Sequence, residues 1–340
     1  MNIAIIGAGI SGLYSAYKLQ NLSTINSITI FEKSSRIGGR VKTIKYHTTN
    51  IEAGAGRISS KHKRVLELAK ELKLDLIKFP KSQTPLYYEN GVQKERLPLL
   101  EHKPNTDKIT FEDWLLQKHT TKYVSSLISQ IGYDSVLKTN AKDAYKEIKA
   151  VSHNCFYSIK GGLSTIIDSL YKNLNAKVKI YKNHKIDSIP ELLQKYDHII
   201  IAVTAPDLWK LNINTGSIIP HPLTRIYAYF SDTSFTNNQR MTCNTSIRQC
   251  IPITQNIVMA SYSTDKYAEY WNKQKELSTK LKDELEIAYG IKDIPEPQYI
   301  RKFYWKTGVH SLGVGSKEVT HTYDKRRNKA RNKRRFNKKK

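Results

Sequence analysis

The chain has 340 residues and a mass of 39.1 kDa, with 39% hydrophobic and 25% charged residues and only 16 Gly and 11 Pro. That is room for roughly two domains of ~100–200 residues, and it excludes a collagen-like or wholly disordered polypeptide. The formal net charge is +26, yet residues 325–340 alone hold eleven Lys or Arg and no acid, leaving 45 basic against 30 acidic residues elsewhere. A body this basic is drawn to polyanions. However, 42 Lys against 14 Arg is also what A/T-rich codons deliver. No apolar run approaches the ~20 residues of a membrane span, and a strand-like run follows Met1 directly, so neither a span nor a secretory leader is expected. Cys155, Cys243 and Cys250 are odd in number and widely spaced. No metal site or disulfide framework is expected from them, and a reducing, cytoplasmic compartment fits.

Asn2–Ile6 is a continuous apolar run, as in a strand buried on both faces of a parallel sheet. Gly7-Ala8-Gly9-Ile10-Ser11-Gly12 follows, and Ile10, Leu13, Ala16 and Tyr17 then recur at helical spacing. A second strand, Ser27–Phe31, leads to Glu32, twenty residues after Gly12. Strand, G-x-G-x-x-G, helix, strand and acid is the order of a dinucleotide-binding unit. Gly7 allows the tight turn. Gly9 lets the backbone at Ile10 and Ser11 approach a pyrophosphate at the helix N-terminus. Gly12 lets helix and strand pack, and Glu32 accepts from ribose hydroxyls. This unit alone does not separate FAD from NAD, and its bland alternative is a fortuitous Gly-rich turn.

Glu32-Lys33-Ser34-Ser35-Arg36-Ile37-Gly38-Gly39-Arg40-Val41 resembles the E-x-x-x-R-x-G-G-R signature that follows the Rossmann unit in flavin-containing amine oxidases and their relatives. In that reading Lys33 lies with Glu32 at the cofactor, Gly38 and Gly39 let the chain pass beside the diphosphate and flavin, and Arg36 and Arg40 donate charge-assisted bonds to phosphate. Glu52-Ala53-Gly54-Ala55-Gly56-Arg57-Ile58 looks like the family's next segment, where backbone passes the flavin ring. Ser158-Ile159-Lys160-Gly161-Gly162-Leu163 and a helix over 164–174 look like its second Gly-Gly element. Residues 178–189 resemble the strands near the adenine, with Ile186 where backbone meets that ring. Residues 196–203 with Thr204-Ala205-Pro206 resemble the strand and Pro turn leading to the second domain. Residues 222–230 and 257–262 look like substrate-domain strands, and 296–310 like the approach to the flavin's far side. The resemblance thus covers about residues 2–310.

It implies an α/β fold. A Rossmann-like FAD-binding domain, a parallel sheet with helices, would use residues 1–78, 158–210 and 295–312. An α+β substrate domain would use 79–157 and 211–294. Helices are expected at 61–72, across much of 110–149 and twice within 264–290, and loops with short strands at 79–105.

The resemblance also implies FAD as cofactor and a small-molecule amine oxidised to an imine while O2 becomes H2O2. Trp305 and His310 match positions of rings near the flavin and the substrate amine, and a buried structural indole is the rival reading of Trp305. No Ser-His-Asp triad is needed and none is visible in the sequence. A body charge of +15 argues against strongly cationic polyamines, unless acids such as Glu89, Glu95 or Asp113 reverse it locally. Two departures stand out. No Lys lies in 216–239, where many family members place one opposite the flavin, and Arg225 is the nearby cation. The family's closing Gly-Glu and Gly-Ala-x-x-Ser-Gly elements are not found after His310, Gly313-Val314-Gly315-Ser316 being a faint echo. A non-catalytic remnant acting as a structural or polyanion-binding protein is therefore the alternative. Residues 313–340 are expected to be a basic disordered tail with non-specific affinity for nucleic acid.

Overall fold

Four short runs of Ile, Val and Ala build the first sheet. Asn2–Ile6, Ser27–Phe31, Val178–Tyr181 and His198–Ile201 are all parallel, in the spatial order Val178–Tyr181, Ser27–Phe31, Asn2–Ile6, His198–Ile201. This computed structural model describes residues 1–46, 49–79, 84–98, 100, 102–153, 155–316 and 322–324.

Both faces of the inner strands Asn2–Ile6 and Ser27–Phe31 are covered, which is why they read as apolar with little alternation, whereas the edge strand Val178–Tyr181 exposes Lys179 and Tyr181. Ile3, Ile5, Ile28 and Ile30 face Leu13 and Ala16 of the helix Ile10–Leu19 and Ile166, Ile167 and Leu170 of the helix Ser164–Lys172. Ala4, Ile6, Phe31 and Ile199 face Ile189 and Leu192 of the helix Ile189–Lys195. Smaller elements flank the sheet: the hairpin Thr43–Tyr46/Thr49–Glu52, and a three-stranded sheet in which Phe156–Ile159 lies between Ile58–Ser59 and Leu76–Lys78.

The chain divides into two units, one containing Met1–Phe79 and Cys155–Thr215, the other Pro80–Asn154 and Gly216–Lys317. In the second, a seven-stranded sheet runs in the order Tyr299–Leu312, Ile218–Tyr229, Ile257–Thr264, Gln249–Pro252, Met241–Cys243, Leu86–Glu89, Val92–Lys94. The helices Asp265–Lys273 and Leu277–Tyr289 supply Trp271, Leu281, Leu285 and Ala288 to its core. A separate cluster joins Phe111–Leu116, Thr121–Ile131 and Ala141–His153 through Phe111, Leu115, Val124, Leu127, Ala144 and Ile148. Thr110 and Thr120 cap the first two of these helices, accepting from Asp113 N and Tyr123 N.

The sheet of this unit is pinned to its helices by Arg248, which is 2% exposed. Its guanidinium reaches Asp134 Oδ2 at 2.9 Å and Oδ1 at 3.1 Å, Ser129 Oγ at 3.1 Å and the carbonyls of Cys243 and Ile128 at 2.9 and 3.2 Å.

Three expectations are corrected. Residues 295–312 belong to the second unit, because Tyr299–Leu312 pairs antiparallel with Ile218–Tyr229 along its whole length, from Ile218↔Leu312 to Tyr229↔Tyr299. Residues 178–189 hold one strand, Val178–Tyr181, and Pro190 opens a helix at Ile189–Lys195, its fixed φ suiting a first helical turn. Pro206 likewise sits in the first turn of the helix Ala205–Lys210.

The expected tail, residues 313–340, lies mostly outside the described residues. Within it, Gly315 N donates to Asp107 O at 3.0 Å. Thr322–Asp324 pairs antiparallel with His198–Ile201. Among the described residues, no helix is long and apolar enough to cross a membrane.

Candidate dinucleotide site

The site is built where the first strand meets the first helix. Gly7 has φ +100°, and Gly7 N donates to Phe31 O at 2.8 Å, closing the turn over the second strand. A Cβ on Gly12 would lie 1.9 Å from Gly7 O, so that position tolerates hydrogen alone. Gly9 is the N-cap residue and brings no side chain to the helix terminus. The N–H groups of the first turn have no intrahelical acceptor, and with the dipole they form an anion site.

The second glycine loop docks on this turn. Gly38 N donates to Ala8 O at 2.8 Å, Gly9 and Gly38 form a parallel bridge, and a Cβ on Gly39, at φ +56°, would stand 3.2 Å from Gly9 Cα. A Cβ on Gly9 itself would meet nothing nearer than Gly39 Cα at 3.9 Å. The protein's own packing therefore does not require glycine there. Bare, uncrowded backbone beside a helix N-terminus fits a diphosphate that must come close.

Glu32, 8% exposed, closes the far side. Its Oε2 accepts from Ala8 N at 2.8 Å, and its Oε1 from Ser34 N at 2.9 Å and Ser34 Oγ at 2.7 Å. These bonds fix the carboxylate and leave lone pairs for further donors.

Other expected residues are placed differently. Arg36 turns inward, donating to the carbonyls of Ile37 (3.1 Å), Val41 (3.4 Å) and Gly39. Burial lowers its pKa, with Glu32 opposing. It shapes the Gly38-Gly39 loop. Arg40 is exposed, and its carbonyl receives Ala55 N at 2.9 Å, which ties the segment Gly54-Ala55-Gly56 to the loop. Lys33 pairs with Asp207 at 2.8 Å, a contact within this unit. Arg57 lies over the Phe156 ring at 4.0 Å. Ile186 packs on the core beneath Ala4, Ile6 and Phe31.

The sequence reading missed the fastening of the hairpin to the second Gly-Gly element. Glu52 Oε1 accepts from Leu163 N at 2.7 Å, Thr43 Oγ1 donates to Glu52, and Thr43 and Ser164 exchange bonds of 2.7 and 2.9 Å. The partners are more than a hundred residues apart in sequence, so no local pattern announces them.

Trp305 and His310 lie in the second unit, both half-buried on Tyr299–Leu312, opposite Leu223 and Pro220. Arg225 is buried in the adjoining strand, over the Tyr262 ring at 4.7 Å. Glu89 accepts from Ser126 at 2.8 Å and Asp113 from Thr110 at 2.6 Å, so both serve local structure.

The second unit also assembles what the sequence did not reveal, a Ser-His-Asp arrangement. His221 Nδ1 is 2.8 Å from Asp265 Oδ1, and His221 Nε2 is 2.8 Å from Ser311 Oγ. Its other two members lie 44 and 90 residues from His221 in sequence, so the set is not visible there. His221 is 0% and Ser311 5% exposed, so no substrate carbonyl reaches the hydroxyl. The trio ties two strands to the start of the helix Asp265–Lys273.

Nearby, Glu147 is water-accessible but hemmed in by protein. Desolvation first, then Asp143, raises its pKa to about 7, with His221 opposing. A carboxyl raised in the folded state stabilises fully below its unfolded value, and that contribution is lost as pH rises through the folded one. Melting temperature should therefore fall between about pH 4.5 and 7 in the parent. Glu147→Gln should flatten that part of the profile, and unchanged curves would refute the assignment.

A parallel sheet with a glycine cradle at its carboxyl ends defines a Rossmann-type α/β protein. Residues 10–110 match the sequence profile of flavin containing amine oxidoreductases. The chain is 40% identical over 108 residues to a putative L-amino-acid oxidase of Bacillus subtilis, covering 30% of this chain and 22% of that one. It is 25% identical over 203 residues to an L-amino-acid oxidase of Sistrurus catenatus edwardsii, covering 58% and 39%. The matched stretch thus spans about a fifth to two fifths of these relatives. A putrescine oxidase bound to putrescine superposes with TM-score 0.67 at 14% identity, covering 93% of this chain and 89% of that one. A putative protoporphyrinogen oxidase from an Exiguobacterium species gives 0.66 at 14%, covering 92% and 88%. These two establish likeness of fold.

Proposed function

We propose that the protein binds FAD and oxidises a small-molecule amine, with O2 as the electron acceptor. The observation that carries this is the double-glycine cradle, in which Gly9, with no chain atom crowding the place of a Cβ, stands at a helix N-terminus without a side-chain cap and is bridged backbone to backbone with Gly38. The residues fit the group. The N–H groups around Ile10, Ser11 and Gly12 would hold the diphosphate, Glu32 the ribose hydroxyls, and Arg40 would offset phosphate charge. Arg36 and Gly38 hold the second loop in shape, and the Ala55 N–Arg40 O bond keeps the segment Gly54-Ala55-Gly56 against it. When bound, FAD supplies the two-electron oxidation of amine to imine and passes the electrons to O2, giving H2O2.

Trp305 and His310 are the proposed substrate-side rings. Rings of this kind exclude water and favour the neutral amine, because desolvation disfavours an ammonium. The named relatives act on amino acids and on putrescine, so amino acids and monoamines are the first substrates to try. A body charge of +15 in the sequence disfavours longer polyamines.

The test is absorbance of the purified protein between roughly 350 and 500 nm, with added FAD if needed, followed by peroxide release with amine and amino-acid panels. Flavin bands and peroxide above a Gly9→Val control are expected. A colourless protein that takes up no FAD would overturn the cofactor assignment. Bands without turnover on any panel would overturn the activity and leave a flavin-fold protein without catalysis.

A further inference from the structure

We propose that His221 is a positioning residue for amine oxidation: held between Asp265 and Ser311, it fixes the register of a bulge that lies between Trp305 and His310, and so sets where those two rings stand. The inference rests on the reading of Trp305 and His310 as substrate-side rings. The first observation is one of register. The pairing of Tyr299–Leu312 with Ile218–Tyr229 shifts at one place, where Val309 lies opposite His221 and Trp305 opposite Leu223. Pro222 alone therefore faces Lys306, Thr307 and Gly308. Pro222 has no N–H to give the ladder, which breaks there. A Cβ on Gly308 would stand 2.3 Å from Leu223 Cβ, so the chain rejoins its partner strand only as glycine. Bulges re-aim the side chains beside them, and this one lies inside the interval that separates the two proposed rings.

The strand is fastened on both sides of the bulge, and the helix Asp265–Lys273 takes part on both. On the Trp305 side, the Tyr304 hydroxyl donates to Glu269 Oε1 at 2.6 Å. Lys302 Nζ donates to the carbonyls of Trp271, Asn272 and Gln274, at the end of that helix, at 2.9, 3.1 and 3.0 Å. On the His310 side the link to the helix is His221, 2.8 Å from Asp265 Oδ1 and 2.8 Å from Ser311 Oγ. An ionised Asp265 only accepts, so Nδ1 carries the proton and Nε2 of the neutral ring accepts from the Ser311 hydroxyl. Asp265 holds this bond at φ +52°, a left-handed conformation that persists where the surroundings over-determine it. Asn140 secures the strand end by a second route, its N and Nδ2 donating to Leu312 O at 2.8 and 2.9 Å. A buried histidine with two partners stabilises any fold. This one grips the residue next to His310 and makes the helix a splint across the bulge.

The flavin-loaded parent is compared with Ser311→Ala, which deletes one bond, with His221→Phe, which deletes both, and with Ser311→Thr, which keeps the hydroxyl. Each is measured for FAD uptake, for kcat and KM of peroxide release well below its melting temperature, and for amide hydrogen exchange across the sheet. A misplacement of ~1 Å costs up to about 100-fold, so kcat/KM should fall by roughly 10–100-fold in Ser311→Ala and His221→Phe while FAD uptake holds. Exchange should quicken over residues 305–311 and stay as in the parent over Gln249–Pro252, a strand of the same sheet. Ser311→Thr should match the parent in both readouts. Parent-like kcat and KM in folded, flavin-loaded Ser311→Ala and His221→Phe would overturn the proposal. Exchange that quickens alike across the whole sheet would also overturn it, in favour of a purely structural role. If His221→Phe does not fold, Ser311→Ala decides by itself. A parent that takes up FAD but turns over no amine would overturn the amine-oxidation reading and the catalytic role with it, whereas the grip of His221 on the bulge is read from exchange alone, so the two failures are told apart.

Discussion

Gly12→Ala should cost the first unit about 3 kcal/mol or more, at the upper end of overpacking penalties. The added methyl would stand 1.9 Å from Gly7 O, and the obstacle is backbone held by the Gly7–Phe31 hydrogen bond. Relief requires either the helix Ile10–Leu19 to lift from the sheet or the turn to open, and both uncover Leu13 and Ala16. For a unit of this size the melting temperature should drop by about 6–12 °C, and flavin bands should be lost with it.

Gly9→Ala is the informative contrast. Among the described residues its methyl meets nothing closer than 3.9 Å, and φ is −72°, where alanine is at ease. Stability should hold or rise by about 0.4–1 kcal/mol, while FAD affinity falls by at least ~10-fold, about 1.4 kcal/mol of lost binding. Calorimetry and flavin titration of the two variants check this. A Gly9→Ala protein that retains the parent's FAD affinity would show that no diphosphate comes close to Gly9.

Arg248→Ala is expected to cost the second unit about 3–5 kcal/mol, the usual loss when one partner of a buried ion pair is removed. Arg248 satisfies Asp134, Ser129 and two backbone carbonyls at once. Burial already raises the Asp134 carboxyl despite the opposing guanidinium, and removing Arg248 raises it further. A raised carboxyl destabilises the folded state when ionised, so the defect should be larger near pH 7 than at about pH 4. Chemical denaturation at both pH values measures it. Arg248→Met combined with Asp134→Leu should be less harmful than Arg248→Ala, because no uncompensated charge remains. A double variant worse than the single one would mean that packing, not charge, dominates this site.

The sequence by itself determined the glycine-cradle half of this protein. Asn2–Ile6, the three glycines and Glu32 are neighbours in the chain, and each obeys a local rule about burial, turn conformation or close approach. Gly38 and Gly39 were legible for the same reason.

Tertiary structure alone decided what depends on distant partners. Arg36 reads as a phosphate ligand until the carbonyls of Ile37, Gly39 and Val41 are seen around its guanidinium. Glu52 meets Leu163, and His221 meets Asp265 and Ser311, only because strands far apart in sequence are laid side by side. Tyr299–Leu312 reads equally well as a strand of either unit. Its edge pairing with Ile218–Tyr229 settles the matter, since a strand's hydrogen bonds are satisfied by whichever neighbour the fold supplies. Thr322–Asp324 pairs with the edge strand His198–Ile201 across more than a hundred residues of sequence, which no local rule could disclose.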